Sequence, residues 1–454
     1  MATLARRLRL IDYFSLAFGT MIGTGWLVVM DDWLIRGGPA GAVLGFLIGG
    51  AMLFPIGYVY GKLIQAMPDA AGEVAYTAKV FPRFVSFATG WTMLLSYFCV
   101  CPYEAVAAAK IAGYLFPSLN SMVLYHVGTR PVYLPHLIIG LVVAALLTAM
   151  NYRGIQVSAG FQTWTTLSVI ALALTFASAG FGHGSAANLE PLFPRNPFIA
   201  ILLVVQIVPF FMTGFESVGK SAEESEAGFG GHRFFMAIGL AIWVGILFYV
   251  IVIASVSFAA PRQTFLNAGF ATAVALEKSV GAHWIVSLIM ATAFLSVLKC
   301  FNGNMVATSR MFFALGRRGL VPSGVSYVHP RNRTPSVAVL CVGFATVLCV
   351  FGGDAILIPV SEVGSVTAAV GWMAACAAMA RMKPSGKEAI AVAVGLAVTA
   401  VLVLMKVVPA VPGHFTVYEW IAVAAWSAVG LALHRGARQP ALATEAAQDV
   451  AAQH

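Results

Sequence analysis

Almost the whole chain is divided into apolar runs of roughly 20 residues, the length that carries an α-helix across a lipid bilayer. A helix satisfies its own backbone hydrogen bonds in hydrocarbon, which open sheets and loops cannot do. The composition agrees, since 60% of the residues are hydrophobic and only 10% are charged, whereas about a quarter are charged in soluble proteins. The sequence therefore predicts an all-α membrane protein with twelve transmembrane helices. The predicted spans are residues 11–35, 40–66, 83–116, 131–150, 156–181, 197–221, 234–260, 283–316, 335–352, 355–380, 388–408 and 416–434.

Only loop-sized segments connect these spans, the longest being near 182–196, 261–282 and 317–334. We therefore expect no separate soluble domain. The segment before the first span, residues 2–10, carries three arginines and offers no small-residue cleavage site. We expect the first helix to be retained and not removed as a signal peptide. The tail, residues 436–454, is predicted to be disordered.

Positive charge is distributed unevenly between the two sides of the predicted spans. Most of the 27 lysine and arginine residues fall on the side that also holds both termini. Positively charged loops stay in the cytoplasm, so we expect a bacterial cytoplasmic (inner) membrane protein with both termini cytoplasmic. This topology accounts for the formal net charge of +9. We do not interpret the charge as a nucleic-acid-binding face.

Two predicted spans, the first and the sixth, are interrupted in the middle, one in each half of the chain. Residues 19–25 contain three glycines, and residues 209–214 contain a proline and a glycine. Non-helical backbone at this depth survives only where the freed N–H and C=O groups line a cavity or a ligand. A matched pair of such breaks is typical of the substrate site of a secondary transporter.

The first interruption is predicted to bind an anionic group. Its glycines let backbone N–H groups turn toward a ligand, and the half-helix that starts near Trp26 directs its positive end at the same point. The carboxylate of an amino acid fits this requirement. The alternative is that the glycines only permit close helix packing. The predicted substrate-binding residues of this segment are Thr20, Met21, Ile22, Gly23, Thr24 and Gly25.

The second interruption is predicted to bind a cationic group. Pro209 frees an upstream carbonyl and Gly214 permits unwinding, which leaves main-chain carbonyls for an ammonium group. Phe210 and Phe211 either close over the substrate as an aromatic lid or pack against lipid. Together the two interruptions would hold a zwitterion. The predicted substrate-binding residues of this segment are Phe210, Phe211, Met212, Thr213 and Gly214.

Four ionisable residues lie inside predicted spans, where each has to face protein or water. They are Glu104, Glu216, Lys299 and Glu362. Glu216 directly follows the second interruption, so we expect it to take up and release a proton; the alternative is a fixed hydrogen bond between helices. Glu104 is expected to line the outer cavity, and Glu362 is expected to belong to an outer gate.

Lys299 lies too deep in its span for the ammonium group to reach the lipid headgroups, so it needs a partner or a function. One interpretation is that it replaces a bound sodium ion by supplying a positive charge. The other is a structural ion pair with Glu104 or Glu216. The sequence leaves both open. The predicted proton-coupling residues are therefore Glu216, Lys299 and Glu104.

The sequence offers no arrangement of residues for catalysis. No nucleophile has a recognisable base, and no histidine and carboxylate set has metal-ligand spacing. A sensor would normally carry a soluble output domain. We therefore predict no enzyme activity, no catalytic residue, no metal and no cofactor.

Several motifs resemble those of the amino acid, polyamine and organocation (APC) permease superfamily, and the resemblance covers nearly the whole chain. Residues 19–25 resemble its unwound first helix, and residues 67–76 (MPDAAGEVAY) resemble its loop after helix two. Residues 211–217 (FMTGFES), with the glutamate pair at 223–224, are similar to its sixth helix. Residues 308–322 (TSRMFFALGRRGLVP) are similar to the end of its eighth helix.

The resemblance implies a LeuT-like (APC) fold. In this fold helices one to five and six to ten form a five-plus-five inverted repeat, two further helices follow, and access alternates around helices one and six. The resemblance also implies a proton-linked role for Glu216 and a gating role for Phe210. The corresponding divisions are residues 1–181 for the N-terminal tail and helices one to five, 182–381 for helices six to ten, 382–435 for helices eleven and twelve, and 436–454 for the cytoplasmic tail.

Two departures from the superfamily pattern stand out. Several proton-coupled relatives carry a lysine in helix five at the place of a lost sodium site, but the fifth span, residues 156–181, contains none. Lys299 in helix eight lies near that region of the fold, so we expect it to make transport independent of sodium. In the loop after helix two, Ala71 and Gly72 followed by Glu73 stand where the superfamily usually has a glycine pair.

We therefore expect a permease that moves an amino acid or a related organic amine across the membrane by proton symport. Exchange is the alternative mechanism, and a non-transporting sensor or enzyme is the rival class. The expected partners are the small-molecule substrate, protons and the lipid bilayer, without nucleic acid. The substrate is left open, because Lys299 would attract an acidic side chain, whereas Glu104 and Glu216 would attract a basic one.

Overall fold

The computed structural model describes residues 9–69, 71–154, 159–220, 230–264, 270–281 and 283–437. Some of the residues used in the sequence-based predictions lie outside these ranges. They are Arg6, Arg7, Ala70, Glu223, Glu224, the start of the fifth span at residue 156 and the tail from residue 438 onward.

The described residues fold into helices and one small hairpin. The helices are α1 (Leu10–Met21), α2 (Gly25–Val28), α3 (Met30–Ala51), α4 (Leu53–Ala66), α5 (Glu73–Ala78), α6 (Arg83–Leu115), α7 (Leu134–Arg153), α8 (Ala159–His183), α9 (Pro197–Val205), α10 (Val208–Met212), α11 (Ser217–Lys220), α12 (Gly231–Ala259), α13 (Ala271–Val280), α14 (His283–Arg317), α15 (Ser336–Val350), α16 (Leu357–Arg381), α17 (Lys387–Val407) and α18 (Val417–Gly436). Short 3₁₀ turns lie at Pro117–Leu119, Ala186–Leu189, Arg262–Thr264, Ser323–Ser326 and Gly353–Ile356.

Eight helical stretches of the described residues are long and apolar enough to cross a bilayer. They are Met30–Ala66, Arg83–Leu115, Leu134–Arg153, Gln162–His183, Gly231–Ala259, Gly353–Arg381, Lys387–Val407 and Val417–Gly436. Helix α15 is also apolar but shorter. The chain is therefore a multi-pass, predominantly helical membrane protein, as its composition predicted.

A β-hairpin departs from the all-helical prediction. Strands β1 (Val123–Val127) and β2 (Arg130–Tyr133) pair in antiparallel register. The fourth span was predicted from residue 131, but this prediction was wrong at its start, because residues up to 133 belong to the hairpin. Helix α7 begins at Leu134, with Pro135 in its first turn, where a missing N–H costs no helical hydrogen bond.

The first span is interrupted, as predicted. Helix α1 continues through Met21, residues 22–24 are not helical, and α2 begins at Gly25. The break thus starts later than the first glycine of the motif. Helix α3 then contains both the last part of helix one and the beginning of helix two, joined across a bend at Gly38, whose φ of 64° a residue with a side chain would rarely adopt.

The sixth span is also interrupted, but its unwound part is shifted from the predicted position. It consists of α9, α10 and α11, and residues 206–207 and 213–216 between them are not helical. Pro209 lies in the first turn of α10, where its ring fits a helix start and its missing N–H is not needed. The residues that follow it are therefore helical up to Met212. The unwound segment near the predicted site begins at Thr213.

The two interrupted helices lie inside the bundle. Among the eight spans, α6 has the largest buried share, and it packs along α14 and α16. Helix α1 packs against α8, α12 and α14, and α10 packs against α16 and α3. The side chains of Trp26 and Trp33 on helix one are fully buried. The freed backbone groups of the interruptions therefore face protein and not lipid, which is the condition for their stability in a membrane.

Candidate functional site

The two interruptions meet. The Thr20 hydroxyl lies 3.1 Å from the Gly214 carbonyl oxygen and 3.2 Å from the Ser217 hydroxyl. Gly214 has a φ of 125°, and a β-carbon on it would come within 2.8 Å of the Met21 backbone nitrogen. Both the conformation and the close approach therefore require glycine. This region is named the junction and consists of residues 20–25 and 213–217.

Glu104 of α6 binds the broken end of helix one. One carboxylate oxygen accepts a hydrogen bond from the Thr24 backbone N–H at 3.1 Å, and the other accepts from the Thr24 hydroxyl at 2.8 Å. The first oxygen also lies against Gly23, where a β-carbon would overlap it. The sequence predicted that Glu104 lines the outer cavity, takes part in proton coupling or pairs with Lys299. The structure places it at the junction, so part of the predicted anion site is used by a carboxylate of the protein itself.

Other backbone N–H groups of helix one remain available. Among the described residues, the N–H groups of Gly23, Gly25 and Trp26 have no hydrogen-bond acceptor, although all three residues are buried. Buried N–H groups without a partner are rare in folded proteins. These groups lie where the sequence predicted binding of a carboxylate, so the junction retains donors for a second anionic group beside Glu104.

The backbone of helix six offers acceptors. One acceptor is already used, because the Phe211 carbonyl accepts a hydrogen bond from the Tyr249 hydroxyl at 2.9 Å. The Phe210 N–H is a donor, and it donates to the Ser365 hydroxyl at 3.1 Å. Within the described part of the chain, the carbonyls of Met212 and Thr213 accept no hydrogen bond. The acceptors left for an ammonium group therefore lie within the predicted segment, at the last residue of α10 and the residue that follows it.

Glu216 stabilises the unwound segment of helix six from within. Its carboxylate accepts hydrogen bonds from the Thr213 hydroxyl at 2.7 Å and from the Gly214 N–H at 3.0 Å. These bonds join neighbours in sequence, so they are not the hydrogen bond between helices that the sequence offered as the alternative. Glu216 is 1% exposed, and both oxygens have protein donors.

The two phenylalanines of α10 face protein and not lipid, since both are buried. The Phe210 ring meets the Tyr103 ring edge to face, with centroids 5.2 Å apart. The Phe211 ring lies against Gly25, where a β-carbon would overlap it, and 4.8 Å from the Trp33 ring. Packing against lipid is thus excluded for both rings. Phe210 lies beside α6, on which Glu104 stands.

The methionines of the two segments point away from the junction. The sulfur of Met21 and the methyl group of Met212 both approach Gly245 of α12, and the Met212 sulfur approaches Gly50 of α3. Their predicted contact with a substrate can therefore come only from their backbone atoms. Ile22, the remaining predicted residue, is fully buried in the non-helical segment.

Lys299 of α14 is buried without a direct partner. It is 1% exposed, and its ammonium nitrogen has no hydrogen-bond partner among the described residues. Neither of the ion pairs that the sequence offered, with Glu104 or with Glu216, forms in this part of the structure. Glu104 is nevertheless the carboxylate that acts on the ammonium group electrostatically.

Helix α14 also supplies hydrogen-bond donors to the break in helix one. The Asn304 amide nitrogen and the Cys300 thiol each lie 3.4 Å from the Thr20 carbonyl oxygen. Sequence reasoning missed both residues. The available signal was their spacing of four, which places them on the same face of a helix, one turn apart.

Glu362 lies in a separate ionic network. Its carboxylate contacts the Arg36 guanidinium at 2.8 Å and the Lys406 ammonium group at 3.2 Å, and Arg36 also contacts Asp32 at 2.7 Å. Lys406 is fully buried and donates to the Gly413 carbonyl. This outer network joins α3, α16 and α17. The sequence prediction named Glu362 alone, because nothing in the sequence pairs it with residues so distant along the chain.

Comparison with known proteins identifies the family. The family model named Amino acid permease matches residues 12–430, nearly the whole chain. The chain belongs to the amino acid permease family. This permease is 25% identical to the branched-chain amino acid permease BcaP of Bacillus subtilis over 371 residues, which is 79% of this chain and 76% of the relative. It is 28% identical to the probable GABA permease of Pseudomonas aeruginosa over 366 residues, with coverage of 76% and 72%.

A third relative extends the range of substrates in the family. The permease is 26% identical to the methylthioribose transporter of Bacillus subtilis over 342 residues, which cover 73% of this chain and 72% of the relative. Permeases move solutes unchanged and are not enzymes.

Proposed function

We propose that this permease moves an amino acid or a related organic amine across the bacterial cytoplasmic membrane by symport with protons. The observation that carries the proposal is the set of unused backbone groups at the junction. Helix one offers the N–H groups of Gly23, Gly25 and Trp26, and helix six offers the carbonyls of Met212 and Thr213. A carboxylate accepts from N–H groups and an ammonium group donates to carbonyls, so a zwitterion matches both.

The names of the relatives support this substrate class. The named substrates of two of them, branched-chain amino acids and GABA, carry one carboxylate and one ammonium group. Methylthioribose carries neither group, so membership in the family alone does not select the substrate. The two sets of backbone groups favour the zwitterion.

The charges near the junction favour a neutral or acidic substrate side chain. Glu104 and Glu216 both accept hydrogen bonds from protein donors. Lys299 has none among the described residues. A basic side chain would find both carboxylates already hydrogen-bonded to protein donors, whereas Lys299 offers its unused donors to an acidic side chain.

Glu104 is the residue that we propose to carry the coupling proton, with Glu216 in support. As a carboxylate, Glu104 accepts from both donors of Thr24 and holds α2 against α6. Protonation removes the charge that strengthens these bonds. Helix one is then released more easily, which would link proton binding to the movement of this helix. The positive charge of Lys299 would favour return of the proton to the solvent.

We also propose that transport does not require sodium. A sodium ion at the broken helix would need freed carbonyl oxygens as ligands. The Thr20 carbonyl instead receives donors from Asn304 and Cys300. Lys299 supplies a positive charge one residue away on the same helix, so a further cation would be repelled.

The proposed topology has twelve spans in a five-plus-five inverted repeat, with two further helices and with both termini cytoplasmic. The divisions are those given from the sequence. The pairing of charges supports the sidedness, since Arg36 and Lys406, both predicted outside, share Glu362. Arg318, predicted inside, pairs with Asp69 in the loop after helix two.

Uptake by the purified, full-length protein in proteoliposomes tests the proposal. The substrates are labelled leucine, GABA, glutamate and arginine, with an imposed pH gradient that is alkaline inside and with or without sodium. We expect gradient-driven accumulation of a zwitterion in sodium-free buffer, abolished by a protonophore. Accumulation that depends on sodium would contradict the coupling, and failure to accumulate any of these substrates would contradict the substrate class.

A further inference from the structure

A buried ion pair lies in helix six, beyond the junction. The Lys220 ammonium group contacts the Glu73 carboxylate at 3.2 Å, and the Tyr60 hydroxyl donates to the other carboxylate oxygen at 3.0 Å. The side chains of Lys220 and Glu73 are only 5% and 1% exposed. The ammonium group also lies over the Tyr97 ring, 4.8 Å from its centroid. Both charges therefore have their partners inside the protein.

The pair joins two elements that are distant in sequence. Lys220 lies in α11, which follows the unwound segment of helix six, and Glu73 is the first residue of α5, in the loop after helix two. The contact therefore joins helix six to the loop after helix two.

The pair is also connected to the junction. Lys220 follows Glu216 by four residues, and the Gly219 N–H donates to the Glu216 carbonyl at 3.1 Å. Glu216 in turn holds the unwound segment at the junction. A movement of α11 away from α5 would therefore disturb the polar groups on which the shape of that segment depends.

Other contacts at the same end of the bundle are exposed. Arg318 contacts Asp69 at 2.8 Å, with side chains that are 34% and 43% exposed, and Arg83 donates to the Gly319 carbonyl. Water screens exposed pairs, which then contribute little. The pair of Glu73 and Lys220 is shielded by the tyrosines, so water screens it less than the exposed contacts.

We propose that Glu73 and Lys220 form an inner latch, which holds α11 against α5 and has to separate each time this end of the permease opens. The proposal rests on the proposed transport function, because alternating access requires each end to open in turn. The outer network of Arg36, Glu362 and Lys406 would close the opposite end. Glu73 and Lys220 are positioning residues in this cycle and do not touch the substrate.

A buried ion pair suits a contact that opens and closes better than one that is permanent. Removing two charges from water nearly offsets their attraction, so apolar side chains would serve equally well in a permanent contact. When the end opens, water replaces the lost attraction by hydrating both groups. The closed and open states can then have similar free energies, so that the permease can pass from either state to the other.

Hydrogen–deuterium exchange of the full-length protein, without substrate, tests the latch. The variants are Glu73→Lys, Lys220→Glu and the double reversal. Each single reversal places like charges together, and we expect exchange in α5 and α11 to rise by about tenfold, equivalent to ~1.4 kcal/mol, while α12 stays unchanged. The double reversal restores opposite charges, so exchange should return most of the way to the wild-type rate, as coupling between two residues in contact requires.

A matched control pair lies on the surface of the same molecule. Lys62 and Glu388 contact each other at 2.8 Å and are 39% and 34% exposed. Glu388→Lys should leave exchange in α5 and α11 at the wild-type rate.

If the increases in exchange caused by the two single reversals simply add in the double reversal, the latch is overturned. If a reversal variant does not fold, Glu73→Gln carries the test, because it keeps the shape of the side chain and one acceptor. Unchanged exchange in folded Glu73→Gln would also overturn the proposal. The exchange experiment contains no substrate and measures no transport. Its failure can therefore be distinguished from failure of the transport assay.

Discussion

At the scale of single residues, the junction depends on positions that tolerate one residue type. Gly214 accommodates both a positive φ and the approach of the Met21 nitrogen. Glu104 accepts from two donors of one residue, Thr24, which brings α6 and helix one together at a single point. Small changes at either position should therefore affect transport more than the folding of the whole bundle.

Gly214→Ala should abolish or strongly reduce transport. The new β-carbon would meet Met21 and Thr20, and the backbone conformation would cost about 1–3 kcal/mol for a residue with a side chain. Initial uptake rates and thermal unfolding in detergent measure the effect. The matched control is Gly239→Ala in α12, where a β-carbon meets nothing within 4 Å. Equal uptake by the two variants would contradict the requirement for glycine.

Glu104→Gln should uncouple transport from the pH gradient. The amide keeps one acceptor oxygen for Thr24 but places an N–H₂ group where the second acceptor was, a loss of about 1–3 kcal/mol for an unsatisfied group. Unlike a carboxylate, the amide cannot bind and release a proton near neutral pH. We expect loss of gradient-driven accumulation, with exchange of labelled for unlabelled substrate retained. Normal accumulation by this variant would remove Glu104 from the proton pathway.

Glu216→Gln should lower accumulation and also disturb the unwound segment. One of the two oxygens that accept from Thr213 and Gly214 would become a donor. Uptake driven by a pH gradient, compared with counterflow exchange, separates a coupling defect from a binding defect. If Glu216→Gln accumulates substrate as the wild type does, its supporting role in proton transfer is wrong.

At the scale of elements, side chains from other helices hold the pieces of helix one in place. The Lys110 ammonium group donates to the Val28 carbonyl at 3.0 Å, and the Thr272 hydroxyl donates to the Trp26 carbonyl at 2.7 Å. With Glu104 bound to Thr24, the short helix α2 is held at its first turn by α6 and at its carbonyl end by α6 and α13. Such a fragment can move as a unit once these contacts change.

Lys406→Met should destabilise the contact of α17 with α16. The variant removes a buried ammonium group from Glu362, which keeps Arg36, and leaves the Gly413 carbonyl without its donor. We expect a loss of about 1–3 kcal/mol in the free energy of unfolding. Lys62→Met, which breaks the exposed pair with Glu388, should cost about 0–1 kcal/mol. Thermal unfolding of both variants in the same detergent compares the two losses of stability. Equal losses would contradict a stabilising role for the outer network.

At the scale of the whole molecule, we propose that ion pairs close both ends of the permease. Glu73 and Lys220 form the inner latch at one end, and Arg36, Glu362 and Lys406 form the outer network at the other. The junction holds charged groups, and binding of a proton there would change its net charge. The membrane potential should therefore act on the transport cycle.

Symport of a zwitterion with one proton should be electrogenic. Each cycle would carry one positive charge inward, and a potential of ~100 mV, negative inside, would contribute about 2.3 kcal/mol per charge. We expect a potassium diffusion potential of this sign to increase accumulation in proteoliposomes. An obligatory exchange of two zwitterions moves no net charge, so the absence of any response to the potential would favour exchange over symport.

The sequence by itself determined the class of molecule and the interrupted helices. Long apolar runs leave only helices in lipid, and glycines at 19, 23, 25 and 214 mark where helix one and helix six can leave regular geometry. These properties are local, because they depend on propensity and on the length of a run. The exact limits of the breaks were less predictable, since Pro209 can either interrupt a helix or begin one.

Tertiary structure alone decided which charges meet. Glu104 binds Thr24 across 80 positions, and Lys220 binds Glu73 across 147. Neither contact follows from spacing, because the rotation of each helix about its axis and its neighbours in the bundle determine which side chains face each other. For the same reason the sequence left the partner of Lys299 open. Electrostatic and hydrogen-bond contacts act at a few ångströms, and only the packed helices bring distant residues within that range.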